Sequence, residues 1–480
     1  MTCARVNEQL QSLIKESSTP KPSIVSPSPS GEIVDQNCES SATSPLSSSS
    51  SSPATWRFAF TPSDVIEYLE TYRQRMYPVW PVIDVARLSS VFRTDENDYE
   101  TCALTFAVCA GTGAQLQLKS TTPTWSEFGL PENMGSTALA DRFAAEAERY
   151  RLKYDYREST AIEAILVPLF LHFYYGAKGK KRTASFLLRE AVSLCQLLAL
   201  DKEETYQNMD SEEESYRRRT FWLLYVTERG HAMQHGTPVC LTNSIDVASS
   251  DSQNNPEVLQ AFHSLAHLFS SVDGVLVGSE ASNNGRGQQY SKEVLVQIQH
   301  ALCRYDQWPM EWNEVQRSDL AITQQWLRML VWQLSLSNVT LSSEPGDDSM
   351  SFTYPAHVSR DALRSISTVS FDALVAHGPG MQAKLCDITS TLLDVMTCVH
   401  SLPPEMFIQT RQILHEFCCY LAKLNGSREG LAWVRKRLVE SNLLLEPVSE
   451  LRAIPELTDD EGETTDSNGK VYYNKNFDVY

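Results

Sequence analysis

RTASFLLREAVSLCQLLALDKEETYQNMDSEEESYRRRTFWLLYVTERGHAMQHGTPVCLTNSIDV, residues 182–247, decides the fold class of this chain. Two stretches of helical period flank a charged turn. In the first, Ala184, Leu187, Leu188, Ala191, Leu194, Cys195 and Leu198 recur at three- and four-residue steps, which predicts one buried helix face. Ser211 followed by Glu214 has the form of a capping box and predicts the start of a second helix. Glu213 before Arg217 and Glu214 before Arg218 are acid-to-base pairs at i, i+4, worth about 0.3–0.5 kcal/mol each on an exposed face. Phe221, Trp222, Tyr225, Ala232 and Met233 supply the side turned to the core, and Gly236 with Pro238 breaks the helix. On this reading Trp222 is a structural core residue and Arg218 an exposed one.

The same period recurs outward in both directions. Thr61 before Pro62 predicts an N-cap with proline at the first helical position, followed by a face of Val65, Tyr68, Leu69, Tyr72 and Met76. Residues 99–116 are rich in Ala and Gly (Ala103, Ala107, Ala110, Gly111, Gly113), which suits a central helix closely approached by its neighbours. Phe143, Ala144, Ala147, Tyr150 and Tyr154 mark the next helix. Thr160 with Glu163 predicts a second capping box opening a helix to Tyr175, kinked at Pro168 and paired as a hairpin with the Ala184 helix. Further stripes follow: Leu259, Phe262, Leu265 and Phe269; Leu295, Ile298 and Leu302; Leu327, Leu330, Val331 and Leu334. Val358 through Ala373 reads as one helix running to a cap at His377 and Gly378, before helices on Met381–Val395 and Phe407–Leu424. No sustained alternation of strand type and no regular repeat occurs. The expected fold is all-α, an irregular bundle of many helices spanning residues 56–450.

Two flanks differ in composition. Residues 1–55 are dominated by Ser and Pro and lack large apolar residues over most of their length, so they are expected to be disordered. Residues 451–480 carry Asp459, Asp460, Glu461, Glu463 and Asp466 ahead of Tyr472, Tyr473, Phe477 and Tyr480. Such an acidic, aromatic tail reads either as solvated chain or as an activation segment.

With 480 residues, 42% hydrophobic and 21% charged, the composition is that of an ordinary soluble protein able to bury a large core. No apolar run is long enough to cross a membrane, and the first residues are too polar for a secretory signal. Eleven scattered cysteines without framework spacing fit a reducing compartment. A net charge of −19 argues against the body itself gripping nucleic acid, because phosphate neutralisation needs a basic face. Its basic clusters are Lys178, Lys180, Lys181 and Arg182, readable as a solvated loop or an import signal, and Arg217–Arg219, a helix face beside its own carboxylates.

Chemistry-bearing motifs are sparse. His231 and His235, like His263 and His267, are spaced i, i+4, but neither pair has the glutamate of a zincin motif or an evident third ligand. Cys102 and Cys109 sit in an apolar run and read as buried, reduced core residues. The Gly111 and Gly113 stretch lacks the third glycine and the strand–helix alternation of a dinucleotide site. No Walker, nucleophile-elbow or kinase motif is found. No catalytic residue, cofactor-binding residue, metal ligand or cofactor is assigned, and the chain is not read as an enzyme.

LREAVSLCQLLAL (188–200), RRRTFWLLYVTERG (217–230) and QHGTPVCL (234–241), in that order, resemble the middle homology region of fungal binuclear-zinc-cluster transcription factors. WLRMLVWQLSLSN (326–338) and VAHGPGMQAKLCDITSTLLDV (375–395) extend the resemblance, most closely to maltose-utilisation and amylolytic-gene activators and to gene-cluster regulators. It covers about residues 60–400. Members of that family read DNA through six cysteines in two C-x2-C halves; no C-x2-C occurs here. The resemblance implies a nuclear transcription regulator of a metabolic gene set, carbohydrate-utilisation or secondary-metabolite, acting through its helical domain without a zinc cluster of its own. It implies as partners the transcription machinery or a DNA-binding protein, with a small-molecule effector or homo- or heterodimerisation as further options and no membrane. A helical interaction adaptor unrelated to transcription is the alternative.

Overall fold

A computed structural model of the chain describes residues 61–118 (except 96), 135–246, 256–277, 290–304, 308–339, 341, 348–398 and 404–424. It also describes single positions between 432 and 438 and two short strands near the C-terminus. The body is all-α.

Thr61 caps the first helix, α1 (Pro62–Thr71): its hydroxyl accepts from Asp64 N and the Asp64 carboxylate accepts from Thr61 N, a complete capping box. The chain then passes through a π-helical turn, Tyr72–Met76, to α2 (Val85–Thr94). α3 (Tyr99–Gln115) is buried around nearly its whole circumference, enclosed by α1, α2, α4 (Gly135–Arg151) and α5 (Glu163–Ala177). Small residues make that enclosure possible. A Cβ on Gly113 would stand 2.7 Å from Tyr68 Cε1, and one on Gly111 3.2 Å from the Phe170 carbonyl oxygen. Cys102 and Cys109 lie in this core. α5 is apolar all round and correspondingly buried. It forms a hairpin with α6 (Lys181–Leu197) through a turn in which Gly179 adopts φ +71°.

α7 (Ser211–His235) packs on α6 and on α8 (Pro256–Ser270). A second π-helical turn, Asp273–Val277, follows α8. The other centre of the molecule is α10 (Glu314–Asn338), ringed by α8, α9 (Lys292–Leu302), α11 (Tyr354–Ile366), α12 (Phe371–Val375) and α13 (Gly378–Cys398). α14 (Pro404–Lys423) closes over α11 and α13. The two centres meet where α13 touches α5 and Gln115, at the end of α3, donates to the Ala376 carbonyl at 3.4 Å. Gly378, at φ +53°, leaves room for that glutamine: a Cβ there would stand 2.6 Å from Gln115 Cδ.

Three local expectations are corrected. α7 is capped by Asp210, whose carboxylate accepts from Glu212 N and Glu213 N; a box based on Ser211 starts one residue too late. No side chain caps α5, where Ile162 occupies the cap position and Glu163 pairs instead with Arg87 on α2 at 2.7 Å. The Val358–Ala373 stripe is two helices, because Ser370 caps α12 anew. Near the C-terminus, strands β1 (Glu463–Thr465) and β2 (Val471–Tyr473) pair antiparallel, with Thr464 opposite Tyr472. Three-residue strands are too short for alternation to announce them. The rest of the two flanks, including residues 1–55, lies outside the described residues.

Candidate functional site

α7 carries a set of buried charges that hold the loop following it. Tyr225, Arg229 and Ala232 fall on one face at steps of four and three residues, so an apolar period places Arg229 in the core. There it is 2% exposed, beside Glu228 at 3%. Burying two charges is tolerable only when both are paired and hydrogen-bonded, and both are. Arg229 donates to the two Asp273 carboxylate oxygens at 3.0 Å and to the Leu241 carbonyl at 2.6 Å, lying over the Tyr225 ring at 3.8 Å. Tyr225 Oη donates to the same Asp273, the first residue of the second π-helical turn. Glu228 accepts from Cys240 N at 2.8 Å, Leu241 N at 3.0 Å and Arg229 Nη1 at 3.1 Å. From α6, Arg189 adds bonds to Glu228 at 3.2 Å and to the Pro238 carbonyl at 2.6 Å.

A second clamp lies near the start of α7. Arg218 is 6% exposed, contrary to the expectation of a surface residue. Its guanidinium pairs with Glu203, reaches Glu214 at 2.8 Å and the Asp246 carbonyl at 3.2 Å, and covers the Tyr206 ring at 4.0 Å. Trp222, 1% exposed, is a core residue as expected; its Nε1 also donates to the Asp246 carbonyl, at 3.3 Å. Arg217 keeps its pair with Glu213 at 2.5 Å, and Arg219 donates to the Pro81 carbonyl at 2.9 Å. One helix therefore fixes the segment after α1, the α6–α7 turn, the loop at 238–246 and the turn after α8.

The histidine pairs have different surroundings. His231 packs edge-to-face with His235 and His172, with ring centroids 4.5 and 5.5 Å away, and its Nε2 lies 2.9 Å from Ser185 Oγ. His172 Nδ1 lies 2.9 Å from the Ala184 carbonyl, so it carries the proton in that bond. Burial pushes His172 down to about 4 and His231 down to about 3, keeping both neutral near pH 7. His263 is likewise pushed down to about 4 by burial. Among the described residues no group of three or more His, Cys, Asp or Glu is arranged to hold a metal ion. In the basic turn, Lys178 pairs with Asp141 at 2.8 Å and Lys180 lies over the Tyr175 ring at 5.2 Å.

α10 has polar interior contacts of its own. Trp326 Nε1 donates at 2.8 Å to Asp387, whose carboxyl burial pushes up to about 6. Burial alone would also raise Asp319, but Lys384 at 2.9 Å and His377 hold it at about 2. Arg328 bonds Tyr354 Oη and Asp361, each at 3.0 Å. These contacts fasten helices together; none places a nucleophile beside a base that is free to act on it.

The helix bearing both clamps lies within the segment matched by a family model. The fungal specific transcription factor domain matches residues 69–335, more than half of the 480-residue chain. The chain belongs to this family. Curated relatives include the probable sucrose utilization protein SUC1 of Candida albicans, 27% identical over 334 residues, which are 68% of this chain and 63% of that protein. Others are the maltose fermentation regulatory protein MAL13 of Saccharomyces cerevisiae, 23% identical over 79% of this chain and 77% of the relative, and the respiratory transcription factor ZNF1 of the same yeast, 22% identical over 68% of each. The chain thus spans less than two thirds of the length of the first. Within the family domain, the resemblance found at residues 217–241 now has a physical content: it is the helix and loop joined by Glu228 and Arg229. Sequence reading missed that pair, although the step from Tyr225 to Arg229 was there to signal it.

Proposed function

We propose that this chain is the regulatory body of a transcription regulator that acts in the nucleus on a sugar-utilisation or other metabolic gene set. The observation that carries the reading is the family match over residues 69–335, together with relatives named for sucrose utilization and for the regulation of maltose fermentation. No C-x2-C half occurs in the 480 residues, so sequence-specific DNA contact through a zinc cluster comes from residues other than these. The relatives are named as regulators, which favours a regulatory over an enzymatic role. The acidic residues 455–480 serve as the activating segment.

Deleting the coding gene and measuring transcripts after transfer between sugars tests the reading. Loss of induction of a coherent metabolic gene set is expected; an unchanged transcriptome, with the protein found wholly in the cytosol, would leave the adaptor reading. Purified protein should hold well under one zinc per chain, and two zincs whose removal abolishes DNA binding would overturn the DNA-contact part. Fused to a heterologous DNA-binding domain, residues 455–480 should drive a reporter, and Tyr472, Tyr473 and Phe477 changed to Ser should silence it.

A further inference from the structure

Among the described residues six large hydrophobics stand exposed, and three of them, Leu152, Phe186 and Leu197, collect at one helix. Phe186 (69% exposed) and Leu197 (76%) are both on α6, on the side away from its buried stripe. Eleven residues of α-helix separate them, which puts them roughly 20° apart around the axis and about 16 Å apart along it. Arg182 and Ser193 fall on the same stripe. Arg189 and Glu190 border it on either side, and neither is free to cover it. Arg189 is held by Glu228 and Pro238, and Glu190 pairs with Arg151 at the end of α4 at 2.8 Å. That ion pair brings the α4 terminus against the middle of α6, and the next residue, Leu152, is 82% exposed.

The two ends of this face carry opposite charge. Lys180, Lys181 and Arg182 stand at the start of α6; Asp201, Glu203 and Glu204 follow its end with Lys202 among them, and although Glu203 is held by Arg218, Glu204 stays exposed. A surface that is apolar in the middle, basic at one end and acidic at the other complements a copy of itself turned end for end. We propose that α6 is a homodimer interface in which two α6 helices pair antiparallel about a two-fold axis near Ala191 and Val192. In that register Phe186 of each chain meets Leu197 of the other, Ser193 meets Glu190, and Arg182 approaches the partner's acidic turn. An isologous contact of this kind is the usual way a soluble chain pairs with itself. A parallel pairing would set like charges together at both ends and is disfavoured by the same arrangement. The surface owes nothing to what the protein regulates, so its test stands apart from the transcriptional one.

Light scattering on the full chain after size exclusion should give the mass of two chains at micromolar concentration. Phe186→Glu with Leu197→Glu should give one chain with an unchanged helical spectrum and melting point, since both side chains lie outside the core. Arg182→Glu should weaken the dimer about tenfold, and adding Glu204→Arg should recover most of the loss. For the register, on a background with the exposed Cys240 changed to Ser, a mixture of Phe186→Cys and Leu197→Cys chains should cross-link under mild oxidation. Phe186→Cys chains alone should not. A monomeric wild type, a dimer indifferent to the double glutamate variant, or cross-linking of Phe186→Cys with itself would each overturn the proposal. A monomer that loses reporter activity with the double glutamate variant would assign the face to another protein.

Discussion

α3 and α10 are both enclosed by neighbours on nearly every side, yet they reach that state by opposite means. α3 uses small and apolar residues, so its neighbours come close, and its buried polar side chains are mostly threonines, of which Thr105 bonds back to the Thr101 carbonyl of its own helix. α10 buries Gln316, Gln324, Gln325, Arg328, Trp326 and Trp332, large residues whose polar ends must each find an acceptor. Most do so on other elements: Gln316 on the Val258 carbonyl at 2.8 Å, Gln324 on Leu302 at 2.5 Å, Trp332 on Ser351 at 2.9 Å, whereas Gln325 accepts from Arg328 within α10. Close approach makes the first core intolerant of added volume. Polar bonds make the second intolerant of lost partners.

The largest test of that contrast is Trp326→Ala. It opens a cavity and leaves Asp387 without its donor, and should cost about 3–5 kcal/mol in denaturant melts; a loss below about 1 kcal/mol would mean the α10 core is loosely packed. Trp222→Ala, the matching change on α7, should fall in the same range. Arg218→Ala comes next. Because the guanidinium is buried while Glu203 is partly in water, the loss should be about 1.5–3 kcal/mol, towards the lower end. A value near zero would restore Arg218 to the surface. Gly113→Ala should cost about 1–3 kcal/mol, since Tyr68 must give way. The same melt showing no change would refute tight packing around α3.

The last effect is one of pH. The Asp387 carboxyl titrates at about 6 in the folded protein against an ordinary 3.8, so the folded state holds a proton that the unfolded chain has lost. Stability from this group therefore falls as pH rises from about 4 through about 6. Asp387→Asn should remove that fall and leave the protein more stable at neutral pH. His172 and His231 act in the opposite sense. Their folded values of about 4 and about 3 lie below the ordinary 6.5, so their contribution is complete above pH 6.5 and is lost as pH drops below it. Melting points of Asp387→Asn across pH 4–7 should thus show only the acid-side loss; a curve parallel to the unaltered protein's would place the titrating group elsewhere.

The helices and most of the core were legible because period reports burial directly: Phe221, Trp222, Tyr225 and the α6 stripe are where it puts them. Caps were legible when side chain and proline agreed, as at Thr61, and misplaced when two candidates were adjacent, as at Asp210 and Ser211. The clamps were hidden for another reason. A charged residue at a core position looks the same in sequence as one on the surface until its partner is known, and the partners of Arg218 and Arg229 lie 15 and 44 residues away. Glu203 and Asp273 belong to turns, where no period operates.

Glu228 accepts from two successive backbone amides, those of Cys240 and Leu241, as a helix would accept from its own next turn. The consequence belongs to time as well as to shape. Those two protons sit in a loop, where amides ordinarily trade with solvent quickly, but they can be released only when a buried ion pair opens. Hydrogen exchange should record residues 240 and 241 at the pace of α7, so that by its clock the helix ends at Leu241.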